Sequence, residues 1–309
     1  MIVPPTTRTT LTVIAALAVT VACGIRDSAR TATGAPFVDP EGRPVTIAPL
    51  PVHRIVSTMQ TATEWLVILG AQDRLVARTE FDRQPELASL PSIGGGLDPS
   101  PEAVAALRPD IVIGWRNRSS SDLLRALAPF HIPVVSFETA DTGDVFLNLR
   151  RLGLLVGAEA RADSLANKLR ADLMRIQAEA CPDGPAKAPT VFLEVGTEPP
   201  MTTGGGTWMN TILNVACLRN LFGDLDSSWP VVSLEAIAAR NPDWILTSRG
   251  STPGARSADL RSKAGWRDLP AVKAGRILEI PGDLLARGGP TLADAARAIV
   301  AARRTAERH

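Results

Sequence analysis

The chain has 309 residues, of which 45% are apolar and 21% charged, with a net charge of +1. That apolar content excludes a disordered chain, and charges of interspersed sign leave no basic face for nucleic acid. The length accommodates roughly two domains.

The N-terminus reads as a targeting segment. Arg8 is its only charge, and an apolar run from Leu11 to Ala22 stops at Cys23. The run is shorter than the ~20 residues of a spanning helix, so residues 1–23 read as a signal peptide. Thr20-Val-Ala-Cys23 resembles a lipobox, in which the cysteine is lipidated after cleavage, although Thr20 stands where leucine is usual. An ordinary cleaved secretory signal is the alternative. Both export the chain to the periplasm or the outer face of the cell envelope. Residues 24–36 are small, polar and charged, as a tether should be.

Phe37 to Ile47 reads as a short hairpin turning at Asp39-Pro-Glu-Gly42. Strand candidates then alternate with helices: Arg54–Ser57, Thr63–Leu69, Asp110–Ile113, Asp122–Leu127 and Pro133–Phe137. This alternation predicts an α/β sheet covered by helices. The only long helical stretch follows. Val145, Leu149, Leu152 and Val156 form one apolar stripe before Gly157, and Leu165, Leu169, Leu173, Ile176 and Ala180 form another. The second helix, Ala158 to Ala180, spans about 34 Å at 1.5 Å per residue, the width of a small domain. The chain therefore divides into an N-terminal lobe (37–157), a bridging helix (158–181) and a C-terminal lobe (182–309).

An internal repeat supports two similar lobes. Ser100-Pro-Glu-Ala-Val-Ala-Ala-Leu-Arg-Pro-Asp-Ile-Val-Ile113 matches Ser233-Leu-Glu-Ala-Ile-Ala-Ala-Arg-Asn-Pro-Asp-Trp-Ile-Leu246 without a gap. Each copy predicts a short helix capped by Ser, with Glu in its first turn, followed by Pro-Asp and a strand.

Met201-Thr-Thr-Gly-Gly-Gly-Thr207 precedes a helix start, as phosphate-binding loops do. No Gly-Lys-Ser/Thr follows, and Met209 sits where a dinucleotide fingerprint needs its third glycine. Nor is there a Gly-x-Ser-x-Gly with a placed histidine for a hydrolase, so an enzyme is not expected. Cys181 and Cys217, the pair left in the mature chain, suit a disulfide in an oxidising compartment; two unrelated buried thiols are the alternative. Three scattered histidines and no Cys-x-x-Cys leave no metal site.

Four segments carry a resemblance: Arg108-Pro-Asp-Ile-Val-Ile-Gly-Trp-Arg116, Glu198-Pro-Pro-Met-Thr-Thr-Gly204, Trp229-Pro-Val-Val-Ser-Leu-Glu235 and Pro281-Gly-Asp-Leu-Leu-Ala-Arg287. In this order and spacing, from about Arg54 to Ala301, the chain resembles the helical-backbone (class III) periplasmic binding proteins of ABC importers. That family carries iron–siderophores, haem and vitamin B12, and the likeness is nearest to its corrinoid-binding members. It implies two Rossmann-like α/β lobes on one long bridging helix, in a monomer that delivers its ligand to a permease dimer and ATPase.

The resemblance also assigns residues. Trp115 and Trp229, one from each lobe, line the ligand cleft, as suits a large flat ligand rimmed with amides. Met201 stands where relatives have an aromatic contact, and Gly204 lies in a loop, Pro199 to Thr207, expected to face the cleft, with a plain helix-entry turn as the alternative. Asp283 and Arg287 match polar cleft residues, and Gly96 stands where another cleft tryptophan would be. Around Glu80 to Asp82 nothing is carried over. Glu102 and Glu235 match the glutamates that dock on the permease, one per lobe. An iron–siderophore held by Arg116, Arg118 or Arg287 is the alternative ligand. Haem is disfavoured, because the family ligates its iron through Tyr or His and this chain has no tyrosine. Trp65, Trp244 and Trp266 read as structural, and Trp208 as either.

Overall fold

The computed structural model describes residues 37–249 and 260–308; the signal segment, Cys23 and the tether lie outside them. In the N-terminal lobe, β1 (Ile55–Ser57), α1 (Gln60–Ile68), α2 (Pro101–Ala106), β2 (Ile111–Trp115), α3 (Arg118–Leu127), β3 (Val134–Phe137) and α4 (Thr142–Val156) follow in turn. The strands form a parallel sheet in the order β1-β2-β3. They are apolar at nearly every position because both faces are covered. Ile55, Ile111, Ile113, Val135 and Phe137 point into the main core, and Val56, Val112 and Val134 into an outer cluster with Leu123 and Leu127 of α3.

Helix α4 starts at a capping box made by Asp141 and Asp144 and stops at Gly157, whose φ of 65° suits glycine. Helix α5 (Glu159–Ala180) follows at once. It packs on α4, where Gly153 and Ala162 meet so closely that a Cβ on Gly153 would come to 2.6 Å. It also packs on α6 and α10 of the second lobe.

The C-terminal lobe comprises β4 (Thr190–Leu193), the hairpin β5 (Gly196–Thr197) and β6 (Pro200–Met201), α6 (Trp208–Val215), β7 (Arg219–Asn220), α7 (Leu234–Arg240), β8 (Trp244–Arg249), α8 (Pro270–Lys273), β9 (Ile277–Pro281), α9 (Gly282–Leu285) and α10 (Leu292–Ala306). Its main sheet is parallel, in the order β7-β4-β8-β9. Val191, Leu193, Leu246, Leu278 and Ile280 face the main core, whereas Phe192, Ile245 and Ile277 face an outer cluster around Trp266. One continuous apolar core thus runs from β1–β3 through α4 and α5 into β4, β8, β9, α6 and α10. Trp65, Trp208, Trp244 and Trp266 are all buried.

The sequence reading confined long helices to the stretch between the repeat copies, and α10, 15 residues long, corrects it. Its buried face includes Ala293, Ala295 and Ala296 beside Leu292, Ile299 and Val300, so the apolar stripe is faint. Cys181, just after α5, is joined by a disulfide to Cys217, with a Cα–Cα distance of 5.1 Å. Arg303 of α10 donates to the Cys217 carbonyl at 2.6 Å.

The repeat has a structural reason in both lobes. Ser100 caps α2 by accepting from Ala103 N, and Ser233 caps α7 by accepting from Ala236 N. The Asp110 carboxylate accepts from the amides of His53 and Arg54, each at 2.8 Å, and so pins the start of β1. Asp243 does the same for β4, accepting from Thr190 N and Oγ1, each at 2.8 Å.

Candidate functional site between the lobes

The carboxyl ends of β2 and β3 and the loop after β1 open onto a cavity of ≈ 1160 Å³, whose far wall is Ser228, Trp229 and α9 with Ala286 and Arg287. Ligands of parallel α/β sheets bind at this end of the strands. Trp115 reaches the cavity as the last residue of β2, and Trp229 faces it from the loop before α7, 42% exposed. Arg116, Asp283 and Arg287 also line it. Phe81 and Leu97 add exposed apolar surface to the wall (48% and 64% exposed). Sequence reasoning missed both, and the only signal was an isolated apolar residue in each of two polar loops.

Gly204 and Met201 do not line the cavity, contrary to the expectation for their loop. A Cβ on Gly204 would stand 2.0 Å from the Ser227 carbonyl oxygen, and the Gly204 amide donates to Ser228 O at 3.0 Å. The glycine therefore lets two stretches of backbone pack together beneath Trp229. Met201 pairs with Gly196 and bridges to Val231, so it too supports that loop. The start of α6 is satisfied internally: Thr207 accepts from Asn210 N, and Trp208 N donates to Ala140 O of the other lobe at 2.9 Å. Gly96 lines the cavity without a side chain, and a Cβ there would come within 2.6 Å of the Thr58 carbonyl oxygen.

Among the described residues, Arg83, Arg116 and Arg287 line the cavity with the carboxylates of Glu64, Glu138 and Asp283. Arg116 pairs with Glu138 at 2.9 Å in an exposed position. Arg287 pairs with Glu64 of α1, and Asp283 stands 3.9 Å from the same guanidinium. Burial pushes the Glu64 carboxyl up, partly opposed by Arg287. Thr61 Oγ1, Glu64 Oε2, Gln84 Oε1 and Thr139 Oγ1 are buried along this wall without an intramolecular hydrogen-bond partner. Such groups are rare in folded proteins, and four beside one cavity make its wall polar as well as aromatic.

Among the described residues, no His, Cys, Met or Tyr lines the cavity. His53 and His131 instead border a second hollow of ≈ 1230 Å³ at the amino ends of the N-terminal-lobe strands. Among the described residues no group of three or more His, Cys, Asp or Glu could hold a metal ion. Glu102 borders that second hollow, and neither it nor Glu235 lines the ligand cavity. Both are exposed in the first turn of their helices. The Glu235 carboxyl is held below its usual value by its own amide and by the Ser233 hydroxyl.

A model of the periplasmic binding protein family matches residues 55–284. YvrC of Bacillus subtilis, an uncharacterized ABC transporter substrate-binding lipoprotein, is 32% identical over 82% of this chain and 80% of its own length. The vitamin B12-binding protein of Pectobacterium atrosepticum is 27% identical over 80% of this chain and 87% of its own. A solved periplasmic heme binding protein from Pseudomonas aeruginosa matches with a TM-score of 0.69 and 32% identity, covering 81% of this chain and 92% of that one.

Proposed function

Because the chain belongs to the periplasmic binding protein family, the substrate-binding components of ABC transporters, we propose that it captures a corrinoid in the interlobe cavity. It is a carrier and not an enzyme, it works outside the cytoplasm, and its partners are a permease and its ATPase. No helix among the described residues is long and apolar enough to cross a membrane.

The observation that carries the ligand reading is the pair Trp115 and Trp229 on opposite walls of one cavity. Two aromatic faces suit a flat macrocycle, and a wall of paired charges and buried hydroxyls suits a rim of neutral amides. Arg116 and Asp283 supply polar contacts at that rim, and Arg287 lines the same cavity paired with Glu64. The likeness to vitamin B12-binding proteins supports the same reading. A second reading, an iron chelate or haem, is favoured by the likeness to a heme binding protein and by Arg83, exposed at the rim. Against haem stands a wall with no Tyr, His, Cys or Met among its described residues.

The chain acts as a monomer, anchored through a lipid on Cys23. Its Glu102 and Glu235 face arginines of a permease dimer, one from each lobe. Helix α5 is the stiff bridge that keeps the lobes at a nearly fixed separation. The test of the ligand reading is calorimetric titration and native mass spectrometry of the purified protein with cyanocobalamin, hemin and ferric siderophores. Tight binding of an iron compound with no heat from any corrinoid overturns it.

A further inference from the structure

Among the described residues, Arg287 is the most enclosed cation on the cavity wall. Its side chain is 18% exposed, against 43% for Arg116. A guanidinium so placed would be the strongest anion receptor in the cleft, because a charge-assisted hydrogen bond gains strength away from water. It is already occupied. Glu64, itself 15% exposed, reaches it from the opposite lobe, bonded through Oε1. The other oxygen, Oε2, is shut in without a donor. Gly289 packs over this point: a Cβ there would lie 3.0 Å from Thr61 Cγ2 and 3.9 Å from Glu64 Oε2. Glu64 is thus held against its partner from both lobes.

We propose that Glu64 is a specificity-determining residue of the cavity floor: by occupying Arg287 it withholds the enclosed cation, so the site accepts neutral, amide-rimmed ligands and rejects those that place a carboxylate there. A carboxylate reaching Arg287 would have to displace Glu64 and leave its charge buried and unpaired, an arrangement that proteins avoid. The choice of probe rests on the corrinoid reading, whereas the electrostatic argument does not.

The test compares cyanocobalamin with each isomer of its monocarboxylic acid, the same ring with one amide turned to acid. Purified wild type and Glu64→Gln are titrated calorimetrically with each. The wild type should bind the neutral ligand at least about tenfold more tightly than the acids, and Glu64→Gln should erase that preference for at least one isomer, the size of one charge-assisted hydrogen bond gained. Arg287→Gln provides a second reading should Glu64→Gln fail to fold. It leaves the carboxylate of Glu64 alone at the floor and should discriminate against the acids more strongly than wild type. Acid-to-neutral ratios unchanged in the variants overturn the role of Glu64 while leaving the corrinoid reading standing. If the wild type binds no corrinoid, that reading fails instead, and the preference is measured with a neutral ferric trihydroxamate against ferric citrate. The same shift with Glu64→Gln sustains the proposal, and an unchanged ratio, or no binding of either chelate, overturns it.

Discussion

Gly96 and Trp229 stand 133 residues apart, the same offset as the two repeat copies, and both line the one cavity. The C-terminal lobe thus presents an aromatic wall at a position where the N-terminal lobe presents bare backbone, closed to any side chain by the Thr58 carbonyl. Binding therefore depends on the two tryptophans that line the cavity. Trp115→Ala and Trp229→Ala should each weaken corrinoid binding by ~1–3 kcal/mol, the usual loss for a large aromatic contact. Trp229 is 42% exposed, so its removal should leave the melting temperature nearly unchanged, which parallel calorimetry and thermal melts would check.

The Glu64–Arg287 pair spans 223 residues and joins the lobes. Removing one partner strands the other, so Glu64→Ala or Arg287→Ala should destabilise the fold toward the lower end of the ~3–5 kcal/mol typical of a broken buried pair, because both side chains keep some exposure. Glu64→Leu with Arg287→Met should recover most of that loss. Urea unfolding of the three variants measures it.

How far the sequence carried this architecture depends on the range of the interactions. Ser100, Ser233, Asp110 and Asp243 were legible because capping and strand-pinning recur in both copies. The stripes of α4 and α5 were legible because leucine and valine mark a helix period. Glu64 was not, because its role depends on a residue 223 positions away. Gly204 was ambiguous for a related reason: a glycine that admits a ligand and one that admits the Ser227 carbonyl leave the same mark in a sequence.

The disulfide ties the end of α5 to the loop after α6 across a sequence separation of 36. Loop-closure entropy gives about 3–4 kcal/mol for such a span, with strain and residual structure lowering the measured figure. Cys181→Ser with Cys217→Ser should lose stability of that order in urea titrations while retaining ligand affinity, since neither residue lines the cavity.

Asp172 of α5 lies between Lys168 and Arg175 of its own helix and faces Arg297 of α10 at 3.6 Å. Hydrogen bonds from Lys168 and then Arg175 hold its pKa down at about 2, below the ordinary 3.8. The folded value is the lower, so its contribution is complete above about pH 4 and is lost as pH falls toward 2. Asp172→Asn should lower the melting temperature at pH 7, and the gap from wild type should close between pH 4 and pH 2. A gap constant across that range would assign the effect to packing.

Glu102 and Glu235 are exposed, and neither lines the ligand cavity. Charges of this kind chiefly set orientation and association rate. Replacing both with alanine should leave ligand affinity intact, slightly weaken each helix by removing the acidic partner of its dipole, and sharply reduce uptake in vesicles reconstituted with the cognate permease and ATPase. Normal uptake by the double variant would return both residues to helix capping alone.

The apolar core that passes from one sheet through α4 and α5 to the other makes each half of the molecule an incomplete object. A fragment ending at Gly157 would lack the helix on which α4 packs, and the complementary fragment would leave α5 without α4. Neither half is a module that can be excised, expressed alone or exchanged with a relative's unless the α4–α5 seam moves with it. Heating should accordingly melt the protein in one calorimetric peak rather than two.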